Sequence, residues 1–139
     1  MLIFRLIFIS FLFVHFNFSQ NKSQIDSINN FDYTYISNNL TNCKKLFDSN
    51  IYASKKINYK KGEANSYCNL ALVYSLLGDY KTTVSLNLKA LKILESLKDY
   101  AKVAKIYSDI GYRIRYINYD QGVYYFRKAI QIGEKYKIK

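Results

Sequence analysis

EANSYCNLALVYSLLGDY, residues 63–80, is the stretch from which the rest of the chain can be read. Ala64, Tyr67, Leu70, Ala71, Tyr74 and Leu77 recur there at intervals of three and four, which places them on one face of a helix. Gly78-Asp79 then breaks the pattern. Glycine takes the left-handed conformation that closes a helix, and an aspartate accepts hydrogen bonds from the free N–H groups at the start of the next one. A helix hairpin is expected, with its second helix from about Tyr80 to Leu97, Val84, Leu88, Leu91 and Leu94 facing inward, and Ala90 allowing close approach. Lys98-Asp99 ends that helix.

The same grammar repeats downstream. Ala104, Tyr107, Ile110, Gly111 and Ile114 form a first helix, Asn118-Tyr119-Asp120 a turn, and Val123, Phe126, Ala129 and Ile130 a second helix. Ala71 falls on Gly111 with an offset of 40, and Ala90 on Ala129 with an offset of 39. A two-helix unit recurring at this period indicates stacked antiparallel hairpins, an all-α solenoid. Small residues at equivalent places fit that reading, because helix axes near the short end of the usual spacing, about 8 Å, leave no room for a large side chain. Shifting back by 40 places residues 50–57 under Ala90 to Leu97. A weaker unit is therefore expected upstream, with a first helix over Gln24 to Asn38 and a second over Leu40 to Ile57. Asn29-Asn30 and Asn38-Asn39 dilute its pattern, so the count is two and a half to three repeats: residues 20–58, 59–98 and 99–139.

Upstream of the repeats the composition changes abruptly. Residues 1–19 carry one charged side chain, Arg5, then an apolar run from Leu6 to Val14, and hold six of the nine phenylalanines, whereas all fifteen tyrosines come later. A basic start, a short apolar run and a small residue before a polar stretch are the layout of an export signal, with Ser19-Gln20 as the break. Two other readings stay open: an uncleaved membrane anchor over Leu2 to Phe18, and a buried first helix. In either exported form the domain sits in the periplasm, or faces it from the membrane.

Composition narrows the chemistry. The chain has 139 residues, no proline, one histidine (His15) and two cysteines (Cys43, Cys68), enough for one domain and too few ligands for a His/Cys zinc site. Removing the leader removes that histidine, and with it histidine general-base and phosphohistidine chemistry. The acidic residues are isolated from any nucleophile or glycine-rich phosphate loop, so neither an enzyme nor a cofactor is expected. The net charge of +11 would suit nucleic acid, but the basic residues are spread along the chain, the export signal separates it from intracellular nucleic acid, and an AT-rich coding sequence gives this Lys, Asn, Ile and Tyr content unaided. Attraction to acidic polymers or an anionic membrane remains open. Cys43 and Cys68 read either as two small buried thiols or as a disulfide closing a loop of about 25 residues, worth ~3 kcal/mol.

Tyr67, Leu70-Ala71, Tyr74, Gly78-Asp79-Tyr80 and Ala90, followed by Tyr107, Ile110-Gly111, Asn118-Tyr119, Phe126 and Ala129, resemble the tetratricopeptide repeat family over roughly Lys60 to Tyr136. The departures are Thr83 in place of the first alanine of the second helix, Asn87 in place of an aromatic, no closing proline, and a third turn one residue short without its glycine. The period and exported start also resemble repeat regions that precede a membrane span and an output module in some bacterial sensor kinases and helix-turn-helix regulators.

The resemblance implies a concave groove lined by first helices that holds a peptide or protein. The positions facing it are expected to be Asn65, Cys68, Asn69, Leu72, Ser75 and Leu76, then Lys105, Ser108, Tyr112, Arg115 and Tyr116. Asparagine amides can hold a peptide backbone, Lys105 and Arg115 a carboxylate, and tyrosines give contact area at small entropy cost. The competing reading is a structural, membrane-tethered repeat scaffold with ordinary solvated residues at these positions. Tyr124, Tyr125 and Ile132 on the last helix are expected to lack a covering helix, which points to dimerisation or to a longer chain.

Overall fold

In the computed structural model, which describes residues 20–138, the described chain forms seven helices and no strand. They are α1 (Lys22–Asn29), α2 (Tyr33–Asn38), α3 (Leu40–Lys56), α4 (Lys60–Leu76), α5 (Tyr80–Ser96), α6 (Tyr100–Ile114) and α7 (Tyr119–Lys135). From α3 onward each helix packs on the next, and the short turns make consecutive helices antiparallel, so the all-α helix-hairpin architecture expected from the sequence is present. The expected leader falls on residues 1–19 and lies outside the described residues; no described helix is long and apolar enough to cross a membrane.

The hairpins share one turn design. α3, α4, α5 and α6 begin at residues 40, 60, 80 and 100, twenty apart. Asn58, Gly78 and Lys98, also twenty apart, take positive φ values of 53°, 79° and 58°. At each, the left-handed residue donates its N–H to a carbonyl three back and its successor donates to one five back: Gly78 to Ser75 at 3.1 Å and Asp79 to Tyr74 at 2.9 Å, for example. This Schellman closure satisfies helix-end carbonyls that the helix leaves unpaired. Asp79 and Asp99 then cap the following helices, accepting from the backbone N–H of Thr82 at 3.0 Å and Lys102 at 3.3 Å. The α6–α7 turn departs from this plan. It lacks a left-handed residue, Ile117 and Asn118 both donate to the Ile114 carbonyl at 2.8 and 2.7 Å, and α7 begins nineteen residues after α6.

Phe47, Ile36, Val73, Leu94, Val103 and Ile110 are fully buried at the centre. Burying each side chain of this size stabilises the fold by about 1.5–3 kcal/mol. Ala71 and Ala90 are buried as expected, and Gly111 and Gly122 let α6 and α7 approach: a Cβ on Gly111 would lie 3.0 Å from the Gly122 carbonyl, and one on Gly122 would lie 2.7 Å from Arg115 Cβ.

Several inward faces differ from the expected ones by about one residue of helix phase. On α5 the buried set is Thr83, Leu86, Asn87, Ala90, Leu91 and Leu94, while Val84 is half-buried and Leu88 is exposed. The apolar pattern misled because two polar residues hold inward positions; the Thr83 hydroxyl is satisfied there, donating to the carbonyls of Asp79 at 2.9 Å and Ala71 at 3.3 Å. On α6, Val103 and Ile106 are buried while Ala104 and Tyr107 are half-buried. On α7, Tyr125 and Ile132 pack against the core, and the uncovered side chains are Tyr124 and Ile130. The seating of Gly122 on Arg115 sets this phase and turns Ile130 outward.

The first helix expected over Gln24 to Asn38 is two helices. Asp32 breaks it by capping α2, accepting from the Tyr35 N–H at 2.7 Å. Between them Phe31 turns inward and packs on Phe47 with ring centroids 6.3 Å apart. Cys43 and Cys68 are free thiols, Cys43 buried on α3 and Cys68 half-buried on α4.

Candidate functional site: the groove between α4 and α6

α4 and α6 make no close backbone contact with one another, and α5 packs against both. The space between them is a groove of about 370 Å³. α4 lines it with Asn65, Cys68, Asn69, Leu72 and Ser75, and α6 with Lys102, Lys105, Ile106, Asp109 and Arg113, each set at helical intervals of three and four. Asn29 and Asn30 at the end of α1 close one side, and Ala71, Thr83 and Asn87 supply the remaining lining. Asn87 matters for the floor because it occupies the position held by Phe47 one unit earlier and Phe126 one unit later. A shorter polar side chain there leaves unfilled the volume that a ring would take.

Of the residues expected to face a groove, Asn65, Cys68, Asn69, Leu72, Ser75 and Lys105 line this one together. Ser108, Tyr112, Arg115, Leu76 and Tyr116 do not. On α6 the expected set runs Lys105, Ser108, Tyr112, Arg115, whereas the observed face runs Lys105, Asp109, Arg113, so the two diverge by one residue, about 100° of helix phase. Lys102, Asp109, Arg113, Asn29, Thr83 and Asn87 were not expected. The positive residues at 102, 105 and 113 recur at helical spacing, a signal present in the sequence; the participation of Asn29 is not readable without the fold.

The groove is cationic with much of its polar surface already organised. Lys102 Nζ donates to Asn65 Oδ1 at 2.6 Å and lies 3.9 Å from the Asp99 carboxylate. Lys105 pairs with Asp109 at 2.7 Å. Arg113 has no carboxylate partner among the described residues; its guanidinium lies 5.8 Å from the Tyr80 ring centroid and 5.1 Å from that of Tyr112. Burial pushes the Cys68 thiol up to about 11, against the smaller opposing pull of Lys102 and Lys105, so it is a neutral thiol at ordinary pH. The Ser75 hydroxyl is buried with no hydrogen-bond partner.

Asn29 is the hub that ties α1 to the groove. Its amide donates to the Gly62 carbonyl at 3.1 Å, its side-chain oxygen accepts from Ser66 Oγ at 2.9 Å, and its backbone carbonyl accepts from Asn69 Nδ2 at 2.9 Å. Asn50, buried on α3 where Ala90 and Ala129 stand in later units, donates to the Ile25 carbonyl at 3.0 Å. Asn29, one of the asparagines that dilute the sequence pattern, thus helps hold the first unit in place, together with Asn50.

Tyr112, Arg115 and Tyr116 form a second cluster at the α6–α7 turn. The Arg115 guanidinium lies 4.0 Å from the Tyr112 ring centroid and 4.7 Å from that of Tyr116, and donates to the Tyr116 hydroxyl at 2.6 Å. That hydrogen bond, with one from Tyr112, holds the Tyr116 phenol below its usual range. Among the described residues no group of three or more His, Cys, Asp or Glu side chains could hold a metal ion. No family model matches this chain, and no curated protein matches it.

Proposed function

We propose that this protein is an interaction module that holds an extended acidic peptide, or an acidic segment of a partner protein, in the groove between α4 and α6. The observation that carries this reading is the groove itself: about 370 Å³, three cationic side chains against one carboxylate, an apolar strip from Leu72 and Ile106, and amides along the rim. Such a lining offers hydrogen bonds to a peptide backbone and charge-assisted ones to carboxylates, and nothing in it is arranged as a nucleophile with a base. The likeness of residues 60–136 to tetratricopeptide repeats supports the same use, and with it a right-handed solenoid arrangement of the hairpins. The leader-like residues 1–19 support an exported, periplasmic or membrane-anchored location and a role as the ligand-sensing part of a signalling protein.

Selection of peptides on the immobilised protein from a random library tests the reading. Acidic sequences should be enriched, and Arg113→Gln should weaken the selected peptides on the order of tenfold, the size of one lost charge-assisted hydrogen bond. Enrichment without acidic bias, or selected peptides indifferent to Arg113→Gln and Lys105→Gln, would refute it.

A further inference from the structure

The two turns at one end of the helix stack expose apolar side chains that the groove does not use. Leu77, in the α4–α5 turn, is 55% exposed, and Ile117, forty residues on in the α6–α7 turn, is 73% exposed. Tyrosines surround them: Tyr116 and Tyr119 are 68% and 71% exposed, and Tyr80 and Tyr112 also reach solvent. Tyr80, Tyr112 and Tyr116 form one continuous cluster, because Arg113 bridges the turns, lying over both Tyr80 and Tyr112, and Arg115 joins Tyr112 to Tyr116; Leu77 and Ile117 stand in the two turns beside it. Neither arginine has a carboxylate within ion-pair distance among the described residues. Asp79 accepts from the Thr82 N–H through one carboxylate oxygen, and Asp120 stands in the first turn of α7.

We propose that this end of the molecule is a membrane-contacting surface, with Leu77 and Ile117 entering the outer acyl region of an anionic bilayer, the tyrosines at headgroup level, and Arg113 and Arg115 on lipid phosphates. The three components match the three layers they would meet. Aliphatic tips gain by leaving water, phenol rings are amphipathic and favour the interface, and unpaired arginines meet phosphate through a planar fork of donors. Charge complementarity selects an anionic surface over a neutral one, with each cation near such a surface worth about fivefold in partitioning. A protein interface would be expected to bury its anchors at the centre of a patch, whereas here the two aliphatic side chains are at the helix-connecting turns, highly exposed. The described chain begins at the other end, where α1 lies against Tyr59.

The experiment uses the full chain with vesicles of phosphatidylglycerol mixed with phosphatidylcholine, and with pure phosphatidylcholine vesicles. Binding is read by cosedimentation, and location by hydrogen exchange. The expected result is a preference for the anionic vesicles that falls with salt, with slowed exchange in residues 77–80 and 115–120 and unchanged exchange in residues 97–100 at the opposite end. Ile117→Ser should weaken partitioning about tenfold, and Arg113→Gln with Arg115→Gln should remove most of the preference for anionic vesicles. All these side chains are solvent-facing or half-buried, and circular dichroism of each variant checks that the fold is intact. Binding equal in the variants, or protection confined to residues outside the two turns, would overturn the proposal, because it would trace attachment to the leader. A dimer that Ile117→Ser dissociates, with vesicle binding unchanged, would overturn it in favour of a second copy of the chain.

Discussion

Replacing Lys98 by glycine tests the turn design at a position where nothing else is at stake. Lys98 is exposed and sits at φ 58°, in the role that Gly78 plays at φ 79° and Asn58 at φ 53°. A side chain with a Cβ in this conformation carries roughly 1–2 kcal/mol of strain, from which the greater freedom of glycine in the unfolded chain subtracts about 0.4–1 kcal/mol. Lys98→Gly should therefore stabilise the protein by about 1 kcal/mol, a rise in melting temperature of roughly 4 °C for a domain of this size. The converse change is as informative. A Cβ on Gly78 meets nothing within 4 Å, so Gly78→Ala removes no space and should still destabilise by about the same amount. Asn58→Gly should shift stability less, since asparagine tolerates the left-handed region. Urea denaturation followed by circular dichroism measures all three with one slope. A Lys98→Gly protein no more stable than the parent, together with a neutral Gly78→Ala, would refute the claim that three left-handed closures set the twenty-residue spacing.

Other expectations follow from the packing and the charges. Gly122→Ala forces a Cβ to within 2.7 Å of Arg115 Cβ and should destabilise by about 2 kcal/mol in the same denaturation assay, with α7 exchanging its amide protons fastest. Asn29→Ala removes the donor to Gly62 and the acceptor for Ser66, and should cost about 2 kcal/mol, seen in hydrogen exchange as release of residues 22–29 before the later hairpins open. Burial first, and then the charge and hydrogen bond of Glu95, push the Tyr107 phenol from 10.0 up to about 12. Its neutral form is favoured by folding, so this contribution is intact below pH 10 and disappears as pH rises toward 12; Tyr107→Phe should flatten the alkaline limb of the stability profile. Asn87→Phe should fill the groove floor, reducing peptide binding while leaving the melting temperature unchanged or higher, as a titration beside a thermal melt will show.

Much of this was legible in the sequence, and the parts that were not have a common cause. The boundaries of α4 and α5 follow from glycine, aspartate and the three-four spacing of apolar residues, because those signals act locally, and those of α3 follow from the forty-residue offset. The helix phase on α5 and the docking of α1 did not follow, because Thr83, Asn87 and Asn29 are polar residues in buried or half-buried places, each held there by partners or packing from other helices. Pattern reading assigns polar residues to water. Where a carbonyl on a neighbouring helix takes the place of that water, the pattern points one residue astray. The groove shows both sides of this: its α4 wall was readable from Asn65 to Ser75, while on α6 only Lys105 was found and the run through Asp109 to Arg113 was missed.

Apart from Ile25 and Ile28, the attachment of α1 to the rest of the molecule is made through amides, hydroxyls, carbonyls and the Asp26 carboxylate. Water can substitute for every one of those polar partners once the helix lifts, so the apolar cost of undocking is confined to Ile25 and Ile28. The groove then has one wall built like a core and one built largely like a wet interface, and its Asn29 side is expected to open at lower denaturant than the remaining helices.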